Sequence, residues 1–141
     1  MILSRNRKEK QMNNLYNQNL DNNFDVLAGA LAQTLITKNL AYGNSYDESV
    51  DTWGNKAMGM RLEDKYNRIK HLLLQDKMKE NDESLLDSLL DNAGYSILAI
   101  NYMLNHGMVS DDDVKKINEK SKRFYDAVFQ KMAQQQPASS K

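Results

Sequence analysis

The chain has 141 residues, 40% of them hydrophobic and 27% charged, and its 19 basic residues balance its 19 acidic residues. This length suits one compact domain, and the neutral balance creates no overall field that would attract nucleic acid or an anionic membrane. Cysteine is absent, which excludes disulfides and thiolate metal ligands, and there is neither a signal-peptide pattern nor an apolar run of ~18 residues, so we expect a cytoplasmic protein.

The spacing of the apolar residues predicts an all-α chain. These residues recur at intervals of three and four rather than two, and the only proline is Pro137. We predict a polar N-terminal arm over residues 1–21, a single helical domain over residues 22–133 and a disordered tail over residues 134–141. The domain should be a bundle of about four main helices.

The first predicted helix runs from about Asn23 to Ala41. Five of its apolar side chains share one arc and are expected to face the core: Phe24, Leu27, Ala28, Leu31 and Leu35. The following stretch, "YGNSYDESVDTWGNKAMGM", contains three glycines and breaks the helical period. It is therefore predicted to be a long connection with one helical turn around residues 46–50, and connections of this length often carry function.

Three further helices complete the predicted bundle. The second runs over about residues 61–78, and the third over about residues 82–105, with Asp82 as its N-cap and a stop at Gly107. The fourth opens with the capping sequence "SDDD", in which Ser110 is the N-cap. The side chains predicted to be buried in the second and fourth helices are Leu62, Tyr66, Ile69, Leu73, Val114, Ile117, Phe124, Val128 and Met132.

Acidic residues recur on successive turns of the third predicted helix, at Glu83, Asp87 and Asp91. On a helical wheel they border the leucine-rich arc, which indicates the wall of a polar cleft rather than a fully solvated face. Carboxylates clustered in a helical bundle are a usual way to hold Mg²⁺, which prefers oxygen ligands. A structural role is the alternative, because acids are favoured in the first turn of any helix and form ion pairs with nearby cations.

Basic residues of the second predicted helix could face these acidic residues. Arg61, Lys65 and Arg68 fall within about 60° of one another on the helical wheel and border the apolar face. They are suited to contact phosphate groups. The alternative is that Lys65 or Arg68 pairs with an acid of the third helix.

Three other side chains are open to two interpretations. Tyr95, one turn beyond Asp91, is either a core residue or orients a carboxylate through its hydroxyl. Lys38 either points its ammonium into the cleft or extends it into solvent. Trp53 is either a hydrophobic plug or a surface on which a base or a partner stacks.

The segments "YGNSYDES", "RLEDKYNRIKHLL" and "DESLLDSLLDNAGYSILAI" resemble, in order and spacing, the nucleotide-modification-associated domain 1 family. These are small helical proteins, frequently encoded by phages and similar to the MazG-type all-α nucleoside triphosphate pyrophosphatases. The resemblance spans about residues 38–103. It implies a MazG-like fold and a nucleotide as substrate, in the host cytoplasm if the chain is phage-encoded.

The resemblance also implies a Mg²⁺-dependent site in which water attacks between the α- and β-phosphorus atoms. Glu83, Asp87 and Asp91 would be the catalytic residues and the metal ligands. The residues implied in substrate binding are Lys38, Tyr42, Asn44, Trp53, Arg61, Lys65, Arg68 and Tyr95.

The chain departs from the MazG pattern of an E-x-x-E pair followed by E-x-x-D. Ser88 stands where the last glutamate would precede Asp91, and the second helix offers only the adjacent Glu63 and Asp64. The departure motivates one alternative to an enzyme, a non-catalytic nucleotide binder or sponge that counters host defence signalling. Another alternative is an inhibitor that docks on a host protein, with Arg61, Lys65 and Arg68 in structural ion pairs. Because MazG-like proteins build bundles between subunits, we also expect a homo-oligomer.

Overall fold

A computed structural model describes residues 23–75, 79–80 and 83–135, together with Arg7, and for residues 79, 80 and 83 it describes the backbone alone. Apart from two strands of two residues each, the described chain is helical, which confirms the all-α prediction. Five helices are present among these residues, where about four were predicted. In chain order the elements are α1 (Phe24–Tyr42), α2 (Ser45–Trp53), α3 (Lys56–Leu74), β1 (Lys79–Glu80), β2 (Glu83–Ser84), α4 (Leu85–Asn105) and α5 (Asp111–Gln134).

The chain separates into two compact units. One unit, Gly29–Met108, contains most of α1, all of α2, α3 and α4, and the antiparallel pair of β1 and β2. The other unit combines Met1–Ala28 with Val109–Lys141 and contains α5. Most of the predicted arm and tail lies outside the described residues.

The stretch after α1 is mostly helical: the helical turn predicted around residues 46–50 lies within α2, but the long connection predicted around it is wrong. Gly43 and Gly54 adopt left-handed conformations, with φ of 64° and 78°, that end α1 and α2. Between them, α2 buries Val50 and half-buries Tyr46, one turn earlier. A nine-residue helix is only marginally stable by itself, so this packing stabilises α2. Sequence periodicity identifies longer helices more readily than one of this length.

Helix α3 begins at Lys56, earlier than predicted, and its buried residues are Ala57, Ile69 and Leu72. It forms the most extensive helix pair of its unit with α4. Two side chains predicted to be buried, Tyr66 and Leu73, are exposed instead. A small core joins α2, α3 and α4 through Val50, Ala57 and Tyr102, with Tyr46 and Met58 packed against it.

Helix α4 starts and stops at identifiable signals. Its N-cap is Ser84, because the Ser84 hydroxyl accepts a hydrogen bond from the Asp87 amide, so the helix starts later than predicted. The predicted cap Asp82 lies outside the described residues. At the other end, Gly107 has a φ of 66° and the Met108 amide donates to the carbonyl of Met103, 2.9 Å away. This Schellman arrangement confirms the predicted stop.

Burial in α1 is slighter than predicted. Leu31 and Leu35 are half-buried, but no residue of α1 is fully buried, and Phe24 and Leu27 are exposed by 67% and 55%. Ala28 is exposed as well. The expected core face is therefore wrong for the first turns of the helix, where apolar residues occur on every side.

Helix α5 opens at the predicted cap, where the Ser110 hydroxyl accepts from the Asp113 amide at 3.2 Å. Its buried residue is Ala127, while Ile117 and Met132 are exposed against prediction. Eleven of its 24 residues are charged, so its apolar stripe is narrow. None of the described helices combines the length and apolarity needed to cross a membrane.

Candidate functional site

A cavity of about 730 Å³ lies between α1, α2 and α4, with Arg61 of α3 at its edge. Its volume falls within the roughly 300–1,000 Å³ typical of small-molecule sites. Leucines of α1 and α4 form its apolar wall. The predicted site residues that line it are Lys38, Tyr42, Arg61, Asp87, Asp91 and Tyr95.

A second cavity, of about 290 Å³, adjoins the first. Its lining contains three cations, Arg61, Lys65 and Arg68, together with Asp64 and Tyr95. Arg61 and Tyr95 line both cavities and so join them. The structure thus brings the three predicted phosphate-binding cations to one small space, because they recur on one face of α3.

Asp91 is the centre of a charge cluster from three helices. Its Oδ2 atom lies 3.0 Å from Nζ of Lys65 on α3, and its Oδ1 atom lies 3.9 Å from Nζ of Lys38 on α1. The side chains of Asp91 and Lys65 are 35% and 25% exposed, so water screens their attraction only in part. The pairing of Asp91 with Lys65, which the sequence offered as an alternative to metal binding, is present.

Asp87 forms the capping box of α4. Its Oδ2 atom accepts hydrogen bonds from the amide of Ser84 at 3.1 Å and from the hydroxyl of Ser84 at 2.8 Å. The amide of Asp87 donates to the Ser84 hydroxyl oxygen at 3.1 Å. This reciprocal pattern satisfies backbone groups that the first helical turn leaves without partners. Asp87 therefore has a structural function even though it also lines the larger cavity.

Two of the three predicted magnesium ligands, Asp87 and Asp91, have described side chains, and both have partners within the protein. Among the side chains that the structure describes, no three histidines, aspartates or glutamates are grouped so that they could hold a metal ion. Asp91 faces two ammonium groups and Asp87 faces Ser84, whereas Mg²⁺ demands near-octahedral oxygen ligands. The side chain of Glu83, the third predicted ligand, lies outside the described residues.

Tyr46 lines the larger cavity and was not among the predicted site residues. Its hydroxyl oxygen is buried and has no hydrogen-bond partner within the described ranges. Burial raises the pKa of Tyr46 above its ordinary value of 10.0, with a smaller contribution from Asp47. The Tyr46 ring lies 6.2 Å from that of Tyr95, centroid to centroid, and the two planes differ by 32°. The sequence signal was the spacing of Tyr46 and Val50, which fits one inward face of α2.

Two predicted substrate-binding residues are placed elsewhere. Asn44 is exposed at the N-terminus of α2, and its side chain makes no capping hydrogen bond there. Trp53 is the last residue of α2 and is 76% exposed. Neither residue is part of the lining of the two cavities described above.

A polar cluster outside the cavities joins α2 to the end of α4. The Tyr102 hydroxyl donates to Oδ1 of Asp51 at 2.6 Å, and this hydrogen bond raises the pKa of Tyr102. The ring of His106 stacks on that of Tyr102, with centroids 3.8 Å apart, and Nε2 of His106 lies 3.8 Å from Oδ1 of Asp51. The sequence gave no signal for this cluster, because Asp51 and Tyr102 are far apart along the chain.

Comparison of the chain with protein-family models, with curated proteins and with solved structures finds no match.

Proposed function

We propose that the chain is a cytoplasmic nucleotide-binding protein that holds its ligand in the two joined cavities without turning it over. The observation that carries the proposal is the position of Arg61. It lines both cavities, and it forms no ion pair with any residue of the described part of the chain. A guanidinium presents a rigid fork of donors that matches the oxygens of a phosphate group.

The smaller cavity is the proposed phosphate subsite. Lys65 and Arg68 line it together with Arg61 and Asp64; Lys65 pairs with Asp91, and Arg68 also has partners within the protein. Arg61, which forms no ion pair with the described residues, and the two cations beside it suit a ligand with several negative charges, which would compete with Asp91 for Lys65. Its volume of about 290 Å³ leaves the base and the sugar for the larger cavity.

The larger cavity is the proposed base subsite. Tyr46 and Tyr95 offer aromatic faces, and the buried hydroxyl of Tyr46 offers a hydrogen bond that no described residue uses. Apolar lining with a few polar groups is the usual composition of a small-molecule site. The resemblance to a nucleotide-related family, noted from the sequence, supports the same ligand class.

Binding is favoured over hydrolysis because Asp87 and Asp91 have protein partners. The second candidate function is a Mg²⁺-dependent nucleoside triphosphate pyrophosphatase. It is favoured by one observation: Asp87 and Asp91, one helical turn apart, line the same cavity as Arg61. A complete set of metal ligands would require Glu83 or a second copy of the chain.

The proposal includes self-association into a homo-oligomer. Helix α1 has apolar side chains on all sides, and none of its residues is buried. A helix that is apolar all round is normally enclosed by other protein. Exposed leucine, isoleucine and tyrosine side chains therefore favour a partner copy around α1.

Calorimetric titration with nucleoside mono-, di- and triphosphates and cyclic dinucleotides, with and without Mg²⁺, tests the proposal. We expect saturable binding, recovery of the intact nucleotide by chromatography, and about tenfold weaker binding by Arg61→Gln. Lys70→Gln is the matched control, because Lys70 is an exposed cation of α3 outside both cavities. Release of pyrophosphate with Mg²⁺ would favour the enzyme. Failure to bind any nucleotide would overturn the proposal and favour a host protein as the partner.

A further inference from the structure

Helix α4 leaves one face of large apolar side chains exposed. Its buried residues are Ser88, Gly94 and Tyr102. At 100° per residue, Ile97 lies about 180° from Ser88 around the helix. The outward face carries side chains that are between 38% and 62% exposed: Leu86, Leu89, Leu90, Ile97 and Ile100. A helix on the surface of a monomer normally turns its apolar face to the core and its polar face to water.

The outward residues follow a regular spacing. Intervals of four, three, four, three and four residues separate Leu86, Leu90, Ala93, Ile97, Ile100 and Leu104, which we name the α4 seam. This alternation is the one by which helices pack along a coiled-coil seam. Residues 92–105 contain no charged side chain, whereas charged residues are frequent throughout α5. Depletion of charge is typical of the core of a protein interface.

We propose that the α4 seam packs against the α4 seam of a second copy of this chain across a two-fold axis. A two-fold interface must be self-complementary, and a seam without charge carries no like-charge repulsion against itself. The same lack of charge gives a different protein no electrostatic feature to recognise. Ala93 is the one small residue of the seam, and it allows close approach of the two helices near the centre of the contact.

The α4 seam alone is too small for a stable interface, so we extend the interface to α1. Helix α4 is about 31 Å long and about 10 Å wide, so it projects roughly 300 Å². A stable interface buries about 800 Å² of accessible surface on each partner. Leu31 and Leu35 of α1 lie 3.7 and 3.5 Å from where a Cβ on Gly94 would be, so α1 flanks the seam. Ile36 and Leu40 of α1 are 56% and 83% exposed, and a four-helix arrangement of both copies covers them.

The seam also meets the candidate ligand site. Leu90 belongs to the seam and lines the larger cavity, so a second copy would contact the edge of that cavity. The inference rests on the self-association that is part of the proposed function and names its surface. Because it is tested without any nucleotide, its failure is distinguishable from a failure of ligand binding.

Size-exclusion chromatography with light scattering tests the seam. We expect the wild-type chain to have twice the monomer mass of 16.2 kDa. Ile97→Glu should weaken the dimer by about tenfold or more and give the monomer mass, with its helical circular dichroism retained. Leu74→Glu, at a 78% exposed leucine that ends α3, should stay dimeric. A monomeric wild type, as expected if another part of the same chain covers the seam, or a dimeric Ile97→Glu, overturns the inference.

Cross-linking gives a second measurement if Ile97→Glu does not fold. The chain has no cysteine, so Ala93→Cys places a single thiol at the centre of the seam. Mild oxidation should yield a disulfide-linked dimer, because equivalent residues near a two-fold axis come within disulfide distance. Glu119→Cys, on the exposed surface of α5, should yield far less. The inference is overturned if Ala93→Cys cross-links no faster than Glu119→Cys.

Discussion

The ammonium of Lys65 lies 3.0 Å from the carboxylate of Asp91, between α3 and α4 and beside both cavities. Lys38 approaches the other oxygen of the same carboxylate at 3.9 Å. Asp91 therefore occupies, from within the protein, a position that a phosphate oxygen would take between the two lysines. In the proposed site this carboxylate would compete with an anionic ligand, whereas a metal-binding carboxylate would assist one.

The first prediction concerns Asp91→Asn. Removal of one negative charge beside two lysines should tighten binding of a nucleotide by about three- to tenfold, because the ligand no longer competes with a carboxylate. Stability should fall by less than about 1 kcal/mol, as for other partly exposed ion pairs. Calorimetric titration and urea denaturation measure the two effects.

The control for this variant is Asp112→Asn. Asp112 pairs with Lys116 at 2.7 Å on α5 and lies outside both cavities, so its loss should leave nucleotide affinity unchanged. If Asp91→Asn binds the nucleotide more weakly while Asp112→Asn binds it like the wild type, Asp91 does not compete with the ligand. That result would support a metal-ligand role for Asp91.

The second prediction tests the capping function of Asp87. Ser84→Ala and Asp87→Ala should each lower the free energy of unfolding by about 1 kcal/mol, since each removes half of the capping box. The double variant should lose less than the sum of the two, because the same hydrogen bonds are lost once. Additive losses in urea denaturation would show that the two side chains stabilise the protein independently.

How far the fold follows from the sequence is clearest at the helix ends. Gly107 and Ser110 act through local backbone geometry and hydrogen bonds within a few residues, and both signals were interpreted correctly. Helix α2 was predicted as a single turn rather than as nine residues, because tertiary packing of Val50 stabilises it. For α4, the helical wheel shows where the leucines cluster but not which face of the helix meets the rest of the chain.

The candidate site was predicted only in part. The common face of Arg61, Lys65 and Arg68 follows from helical spacing alone, so these cations were found together. The partners of Asp91 depend on how α1 and α3 approach α4, and the sequence left metal binding and ion pairing as alternatives. Tyr46 was missed because its placement depends on α2, which was predicted as a single turn.

The third prediction concerns the hydroxyl of Tyr46, which is buried and has no partner among the described residues. Tyr46→Phe should leave the free energy of unfolding unchanged or raise it, because a buried polar group without a hydrogen bond is unfavourable. The same variant should weaken nucleotide binding by about fivefold if the hydroxyl bonds to the base or sugar. A clear loss of stability in urea would indicate that the hydroxyl has a partner in the folded protein.

The fourth prediction concerns stability at alkaline pH, where Tyr102 is held protonated. Its hydrogen bond to Asp51 raises the pKa of Tyr102 above the ordinary 10.0, and burial adds to the shift. Below pH 10.0 the hydrogen bond of Tyr102 to Asp51 contributes its full stabilisation to the folded protein. As the pH rises past that value, the unfolded chain loses its proton first, and stability falls until the folded Tyr102 ionises too. The pKa of Tyr46 is also raised, by burial, so Tyr46 adds to the loss of stability as the pH rises.

Tyr102→Phe should therefore be less stable than the wild type at pH 8 and should lose less further stability between pH 9 and 11, because its share of the proton linkage is gone. Urea midpoints measured across this range test both effects. Tyr125→Phe is the matched control, since that side chain is 57% exposed, and it should follow the wild-type curve. An equal loss of stability between pH 9 and 11 in the Tyr102→Phe variant and in the wild type would contradict the prediction.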